Sequence, residues 1–315
     1  MLPYRGTFVV GITSAGNQEL TINWILSLQR VGYDTKHVVL MCADRMSYKF
    51  FRERGYAAVR LNKRAWAEIS GEIGWPLQTP PETKDTLTIY SEPYLILVKN
   101  RLALLLYLLM NGATVLFHDV DVVYLKRFPN GIDRAIDLLH AQPNKTVLMM
   151  FNREPTEFIE YNMGLFIVRP SRESIEIFAA LNAYMFDKTM QESEIDDQNL
   201  FNMYVLGTRY NKDTAHLKAF VGGLPFKEFL PGHTTFANRA WPPKNGPFWP
   251  MIQSNWSITY DHETPGVVHA NWVLSYEKPP RMKEFGVYWA NDNELLKQAN
   301  LLPEKQLQQS KKQPS

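Results

Sequence analysis

The sequence predicts an α/β fold in which a mostly parallel, Rossmann-like central sheet is flanked by helices in a single domain. Three observations carry this. Short apolar runs alternate with segments of helical period through the first half of the 315-residue chain, the pattern of βαβ units joined by right-handed crossovers. The run at 114–125, TVLFHDVDVVYL, contains an apolar stretch too short for an ordinary helix and apolar enough to be a buried strand. No internal repeat and no Pro/Gly/Ser-rich linker cuts the chain into independent units.

Taken in order, residues 7–13 form the first strand, and 17–31 form a helix that sets Leu20, Trp24, Ile25 and Leu28 on one face and ends at Gly32. Residues 37–43 are the second strand, 44–54 a short helix and 57–61 the third strand. Between 62 and 85 the period fades and prolines stand at 76, 80 and 81, which predicts an ordered insertion or lid. Residues 94–110 read as a buried helix closed by Asn111-Gly112 and feeding the strand that starts at Val115. Further strands fall at 147–152 and 164–168, followed by a helix over 172–186. Residues 225–255 are rich in Pro, Gly and Trp without a clean period, and 303–315 form a polar tail.

Composition narrows the function classes. With 45% hydrophobic and 21% charged residues the chain has the makeup of an ordinary folded, enzyme-sized protein. A net charge of +2 is too small to argue for a nucleic-acid or membrane surface. Cys42 is the only cysteine, so no intrachain disulfide is available. The start, MLPYRGTFVVGITSAGN, lacks the basic region and long apolar core of a signal peptide, and the apolar stretch 102–110 falls short of a membrane span. As given, the chain reads as cytoplasmic, with no membrane segment.

The chemistry centres on Asp119 and Asp121, delivered by a buried strand to its carboxyl end, where ligands bind in open α/β sheets. Alternation along an extended chain would aim both carboxylates to one side, toward one hard cation. Oxygen donors favour magnesium or manganese over zinc. An Asp-x-Asp triplet is common and most are caps or solvated loops, but this one lies between two apolar runs, where carboxylates need a partner. Downstream, YNMGLFIVRP (161–170) places Asn162, Met163 and Gly164 before a strand, where the plain reading is a turn that requires glycine. IDDQNLFN (195–202) groups Asp196, Asp197, Gln198 and Asn199 at a helix start, where the plain reading is capping. VVHANWVLSYEKP (267–279) sets His269 directly after an apolar run, with Asn271 and Lys278 following. A lone His there is more often a core residue, yet a neutral imidazole would complete a site begun by two carboxylates.

In this order, FHDVDVVYL, YNMGLFIVRP, DDQNLFN and HANWVLSYEK resemble the nucleotide-diphospho-sugar transferases of glycosyltransferase family 77, over roughly residues 7–288. The resemblance implies a GT-A fold over 1–302, with a nucleotide-binding half (1–125) and a donor-sugar and acceptor half (126–302). It also implies a metal-dependent, retaining transfer of a sugar from a nucleotide sugar, commonly UDP-linked, to a glycan, polysaccharide or protein hydroxyl. Asp119, Asp121 and His269 match the family's ligands to manganese or magnesium. Asp197 and Gln198 inherit a place beside the anomeric carbon. Lys278, Lys99 and Arg101 are candidates for diphosphate contacts, Thr13, Ser14 and Ala15 for the nucleoside, and Asn162 and Gly164 for the walls of the cleft. Trp241, Trp249, Trp256 or Trp272 are candidates to stack an acceptor. Front-face and covalent routes to retention both stay open. Family precedent would place the chain in the Golgi lumen where a membrane anchor precedes it, and Asn144-Lys145-Thr146 and Asn255-Trp256-Ser257 would permit glycosylation there.

Two other readings fit the same residues. Haloacid-dehalogenase phosphatases carry an apolar strand followed by Asp-x-Asp, with roles of nucleophile for Asp119 and acid/base for Asp121. Their motif lies on the first strand, however, whereas three strand–helix units precede Asp119 here, and His269 would have no task. The other reading is a nucleotide-binding homologue without turnover.

Overall fold

Strand β1 (Thr7–Thr13) runs through the parallel half of the main sheet, and its alternating side chains assign the layers on either face. The computed structural model describes residues 6–60, 63–74, 92–126, 131–152, 159–186, 196–206, 215–232, 266–271, 277–284 and 286–302. After β1 come α1 (Gln18–Arg30), β2 (Val38–Cys42), α2 (Arg45–Glu53), β3 (Ala57–Arg60), α3 (Lys63–Ile73), α4 (Glu92–Met110), β4 (Thr114–His118) and β5 (Val122–Tyr124). The second half adds α5 (Gly131–Ala141), β6 (Val147–Phe151), β7 (Tyr161–Val168), α6 (Arg172–Phe186), α7 (Asp197–Leu200) with a π turn at Phe201–Val205, and β8 (Val221–Gly223). The chain closes with β9 (Phe229–Pro231), β10 (Val267–His269), α8 (Lys278–Glu284) and α9 (Asn293–Gln298).

The main sheet has the order β3-β2-β1-β4-β7-β6-β8, and a small sheet has the order β5-β10-β9. In the main sheet only β7 runs against its neighbours, so the sheet is mostly parallel, as the sequence predicts. Side chains alternate between two cores. Val9, Leu116, Leu148, Leu165 and Ile167 face α1, α5 and the small sheet. Val10, Val115, Phe117, Phe166 and Val168 face α4 and α6. Every residue of β7 is buried, because helices cover both faces of the sheet.

Helix α4, with a mean hydropathy of 1.5, is the one helix among the described residues long and apolar enough to match a membrane span. Here it packs against α6, α3 and β4, and Val98, Leu102, Leu105, Leu106 and Leu109 are buried. Gly112, at φ 77°, ends it through the left-handed conformation glycine tolerates best.

Three details depart from the sequence reading. Within the insertion or lid expected over 62–85, residues 63–73 form α3 against α4 and Ile69 packs with Met41, while residues 75–85 lie outside the described residues. Residues 225–255, expected to lack regular structure, contribute β9 to the small sheet. Helix α1 is buried around most of its circumference rather than on one stripe. Its outer side is covered by residues 286–302: Asn23 Nδ2 donates to Val287 O (3.1 Å), and Asn23 Oδ1 accepts from Trp289 N–H (2.5 Å). Further along, Tyr56 Oη donates to Ala299 O (2.8 Å).

Trp24 sits at the centre of the first core, fully buried, where a Cβ at Gly11 would overlap its ring. Trp24→Ala is expected to lower the unfolding free energy by about 3–5 kcal/mol, through lost burial and the cavity left behind, and urea denaturation measures this directly.

Candidate active site at the end of the fourth strand

β4 stops at His118 and the chain turns at once. Val122 N–H donates to Asp119 O (3.2 Å), closing a tight turn over Asp119, Val120 and Asp121. The carboxylates therefore converge through a turn between two strands, not through the alternation expected of an extended chain. Two outside bonds hold the turn: Asp119 N–H donates to Gly164 O of β7 (2.7 Å), and Ala270 N–H donates to Asp121 O (3.0 Å). The same register, with His269 of β10 opposite Val122 of β5, brings the imidazole over the pair. At the turn's base the His118 ring nitrogen Nε2 and Tyr124 Oη form a buried hydrogen bond.

The ligand atoms of Asp119, Asp121 and His269 lie within 4.8 Å of one another. His269 Nε2 is 3.1 Å from Asp121 Oδ1 and 3.7 Å from Asp119 Oδ2. Gly164 makes room for this. A Cβ on it would overlap the His269 ring, the Asp119 carboxylate and the Asn162 side chain. Gly164 lies inside β7 and its φ is not positive, so it serves close approach and not the turn expected from the sequence.

Cations surround the cluster. Lys278 Nζ, at the start of α8, lies 2.6 Å from Asp121 Oδ2. Arg101 reaches in from α4: its Nη1 is 3.2 Å from Asp119 Oδ1, and its Nη2 pairs with Asp197 Oδ2. Lys99 stands two residues away on the same helix, which on an α-helix means the opposite side. Its ammonium lies over the ring of Phe186, 5.7 Å from the centroid, so the structure does not bring it to the cleft.

Asp196 caps α7, accepting from Asn199 N–H (2.8 Å), so capping explains that residue. Capping does not explain Asp197, which is buried and held by Arg101. Gln198 Oε1 accepts from Asn162 Nδ2 (2.9 Å) and Met163 N–H (3.3 Å), leaving its Nε2 as the donor for the cleft. Asn162 Oδ1 in turn accepts from Gly164 N–H (2.7 Å). At the end of β1, Thr13 and Thr21 share a hydroxyl hydrogen bond (2.6 Å), and Ala15 N–H donates to Asp44 Oδ2 (2.6 Å). Thr13 lines the cleft; Ser14 is buried beneath its rim.

The cleft holds about 220 Å³. Its lining is polar in Asp119, Asp121, Asp197, Gln198, Arg101 and Lys278 and apolar in Ile12, Leu20, Leu97 and Val98. Tyr94, Leu97 and Val98 were not singled out from sequence. Together with Arg101 they sit at i, i+3, i+4 and i+7, so taking Arg101 as a reference would have marked that face of α4. Trp241, Trp249, Trp256 and Trp272 lie outside the described residues.

Electrostatics set these groups apart. Burial would raise the Asp121 carboxyl, but Lys278 and then His269 outweigh it and hold the group far below the ordinary carboxylate range. For Asp119, burial wins over Arg101, the Asp121 charge adds to it, and its carboxyl is pushed up. Burial opposes the Arg101 charge, yet Asp197 and Asp119 prevail and keep it protonated. Two carboxylates and an imidazole converging in a buried site, with Asp119 costly to ionise, form a donor set that suits a divalent cation. Cys42, the buried last residue of β2, is pushed up to about 12 by burial and is chemically quiet.

With this geometry in view, the comparisons are direct. Residues 34–282 match the nucleotide-diphospho-sugar transferase family, more than three quarters of the chain. The chain belongs to that family. The family 77 resemblance read from the sequence agrees with this. UDP-galactose:fucoside alpha-3-galactosyltransferase of Dictyostelium discoideum is 21% identical over 299 residues, a match covering 91% of this chain and 44% of that protein. The chain thus spans less than half the length of this curated relative. Among solved structures, the galactosyltransferase LgtC in complex with donor and acceptor sugar analogs shares the fold with a TM-score of 0.51 at 12% identity, covering 95% of this chain and 99% of that one. Mouse xyloside xylosyltransferase 1, in its apo form, has a TM-score of 0.45 at 11% identity, covering 84% and 98%. The fold is of GT-A type. The phosphatase alternative falls with this family assignment, and with β1, β2 and β3 all preceding Asp119 in the chain.

Two expectations follow from the site. Gly164→Ala forces His269 and the Asp119 carboxylate apart and is expected to weaken manganese binding about 10-fold to 100-fold, as read by calorimetric titration. Burial, and then the Asp197 charge, push the Asp196 carboxyl up to about 6. The native state therefore holds this proton more tightly than the unfolded chain, and the group's contribution to stability falls as pH rises from about 4 to about 6. Asp196→Asn keeps a capping side chain and removes that slope, which urea midpoints measured across this pH range will show.

Proposed function

We propose that the chain transfers a sugar from a UDP-sugar to a hydroxyl of a glycan, polysaccharide or protein, with retention at the anomeric carbon and with manganese or magnesium held by Asp119, Asp121 and His269. The observation that carries this is the convergence of those three side chains within 4.8 Å at a cleft that Asp197 and Gln198 also line. The Dictyostelium relative, named for a UDP-galactose donor, supports the choice of nucleotide.

When bound, the divalent cation supplies positive charge beside the diphosphate as the glycosidic C–O bond breaks. The chain's own groups do the rest. Lys278 has an ammonium within reach of the same region and can share the charge that develops on the leaving phosphate. Ile12, Leu20, Leu97 and Val98 give the cleft an apolar wall, Thr13 at the end of β1 lines it, and Ser14 and Ala15 continue the chain from there toward the nucleoside. Gln198 and Asp197 line the cleft, and their roles are to bind hydroxyls of the donor sugar. Asn162 and Gly164 hold the wall beneath them.

The pairing of Asp197 with Arg101 also bears on mechanism. A carboxylate paired through one oxygen with a buried guanidinium is a weakened nucleophile, since the adjacent cation stabilises its negative charge. This favours the front-face route, in which the departing phosphate takes the acceptor's proton.

The test is a donor panel: purified protein, manganese and a set of nucleotide sugars, with free nucleotide detected and the product anomer read by NMR. UDP release from one donor, with the donor's anomeric configuration kept in the product, is the expected result. Asp121→Ala should lower turnover about 100-fold to 1,000-fold; full activity in that variant sinks the metal assignment. Nucleotide binding without release would instead mark a binding module.

A further inference from the structure

The stretch DDQNLFN ends in Asn202, a buried side chain that does not line the cleft. From Leu165 to Val168, β7 is paired on both sides, with β4 and, through Phe166 to Val168, with β6. Toward its start β4 has already turned away, and the last backbone bond between them is Asp119 N–H to Gly164 O. Tyr161 still faces Phe151 of β6, so its other edge needs a different partner. Asn202 fills that place. Its Oδ1 accepts from Tyr161 N–H (2.8 Å), and its Nδ2 donates to Tyr161 O (2.8 Å). Exchanging both bonds with one residue is what a neighbouring antiparallel strand would do.

The amide's remaining hydrogen donates to Gln198 O (2.9 Å), one helical turn back. One side chain thus ties the edge of β7 to the backbone of α7. The Gln198 side chain forms a second tie, to Asn162 and Met163 on the same strand. Helix α7 has only the four residues Asp197–Leu200, too few to hold an orientation unaided. A π turn, Phe201–Val205, follows it directly and carries Asn202 to the strand.

We propose that Asn202 is a positioning residue: by completing the edge of β7 it sets where Asp197 and Gln198 stand against the donor sugar. This rests on the transfer reaction proposed above. No other side chain meets the same demands at this reach. Asparagine offers an acceptor and two donors, aspartate lacks the donors, and serine cannot span both atoms of Tyr161.

Asn202→Asp keeps the shape and the bond from Tyr161 N–H but loses both donations; Asn202→Ser removes the strand-like pair. In each, kcat with the preferred UDP-sugar is expected to fall about 10-fold to 100-fold, the scale of a small misplacement of reacting groups. Affinity for UDP with manganese should stay within about threefold, because Asp119, Asp121 and His269 are not tied to Asn202. A merely structural role would lower the melting temperature and leave kcat per folded molecule unchanged. The proposal is overturned by a folded variant with wild-type kcat, by UDP affinity falling in step with kcat, or by failure of both variants to fold, which would make Asn202 a residue of the core. Wild-type protein that turns over no nucleotide sugar would overturn the underlying reaction, a result visible before any variant is made.

Discussion

The buried guanidinium of Arg101 joins the two halves of the site. It spans Asp119, in the turn after β4, and Asp197, at the start of α7, two carboxylates 78 positions apart in the sequence (197 − 119). Asp197 could not be buried as a charge without it, and the partly exposed Asp119 is held by the same cation. The guanidinium is held above Phe117, 5.0 Å from the ring centroid, on a helix locked between α3, α6 and the sheet. Removing one member of such a buried set costs about 3–5 kcal/mol, because the others are left charged and unpaired. The apolar length of α4 thus serves as a rigid mount for one cation.

From that constraint the rest of the site follows in layers. Glycine at 164 lets β7 approach the turn closely enough for its carbonyl to hold Asp119. The small sheet β5-β10-β9 then lays His269 across the same turn. The environment of Asp121 strongly favours ionisation, because Lys278 and His269 both face it. The cleft therefore combines polar and apolar lining, and a single face of α4 supplies both, with Leu97 and Val98 beside Arg101.

Much of this was legible in the sequence, for a physical reason. Buried strands leave continuous apolar runs, so β1, β2 and β4 stand out, and the helix over 172–186 has the same limits in the structure. Asp119, Asp121 and His269 were visible because polar groups directly after buried strands are costly without a task. The misses are tertiary. Reversal of β7 leaves no trace in its own residues, which are buried on both faces whichever way the strand runs. Helix α3 carries Trp66, Ile69 and Ile73 at helical spacing, a short period masked by the prolines that follow it. Lys99 and Arg101 look equivalent in sequence, and only the pitch of α4 separates them. The amide set of Asn152, Asn162, Gln198 and Asn202 is scattered over about fifty positions and acquires meaning only when β7 and α7 meet.

The order in which the parts occur along the chain has one more consequence. His269 and Lys278 come from the final stretch, and the residues after them fold back over α1 and β3, through Asn23 and Tyr56, the earliest elements made. During synthesis from the amino end, the strand bearing Asp119 and Asp121 leaves the ribosome well before its imidazole partner does. The nascent chain thus holds Asp119 and Asp121 without the imidazole that faces them, and the cluster comes together only after residues 267–269 have been made.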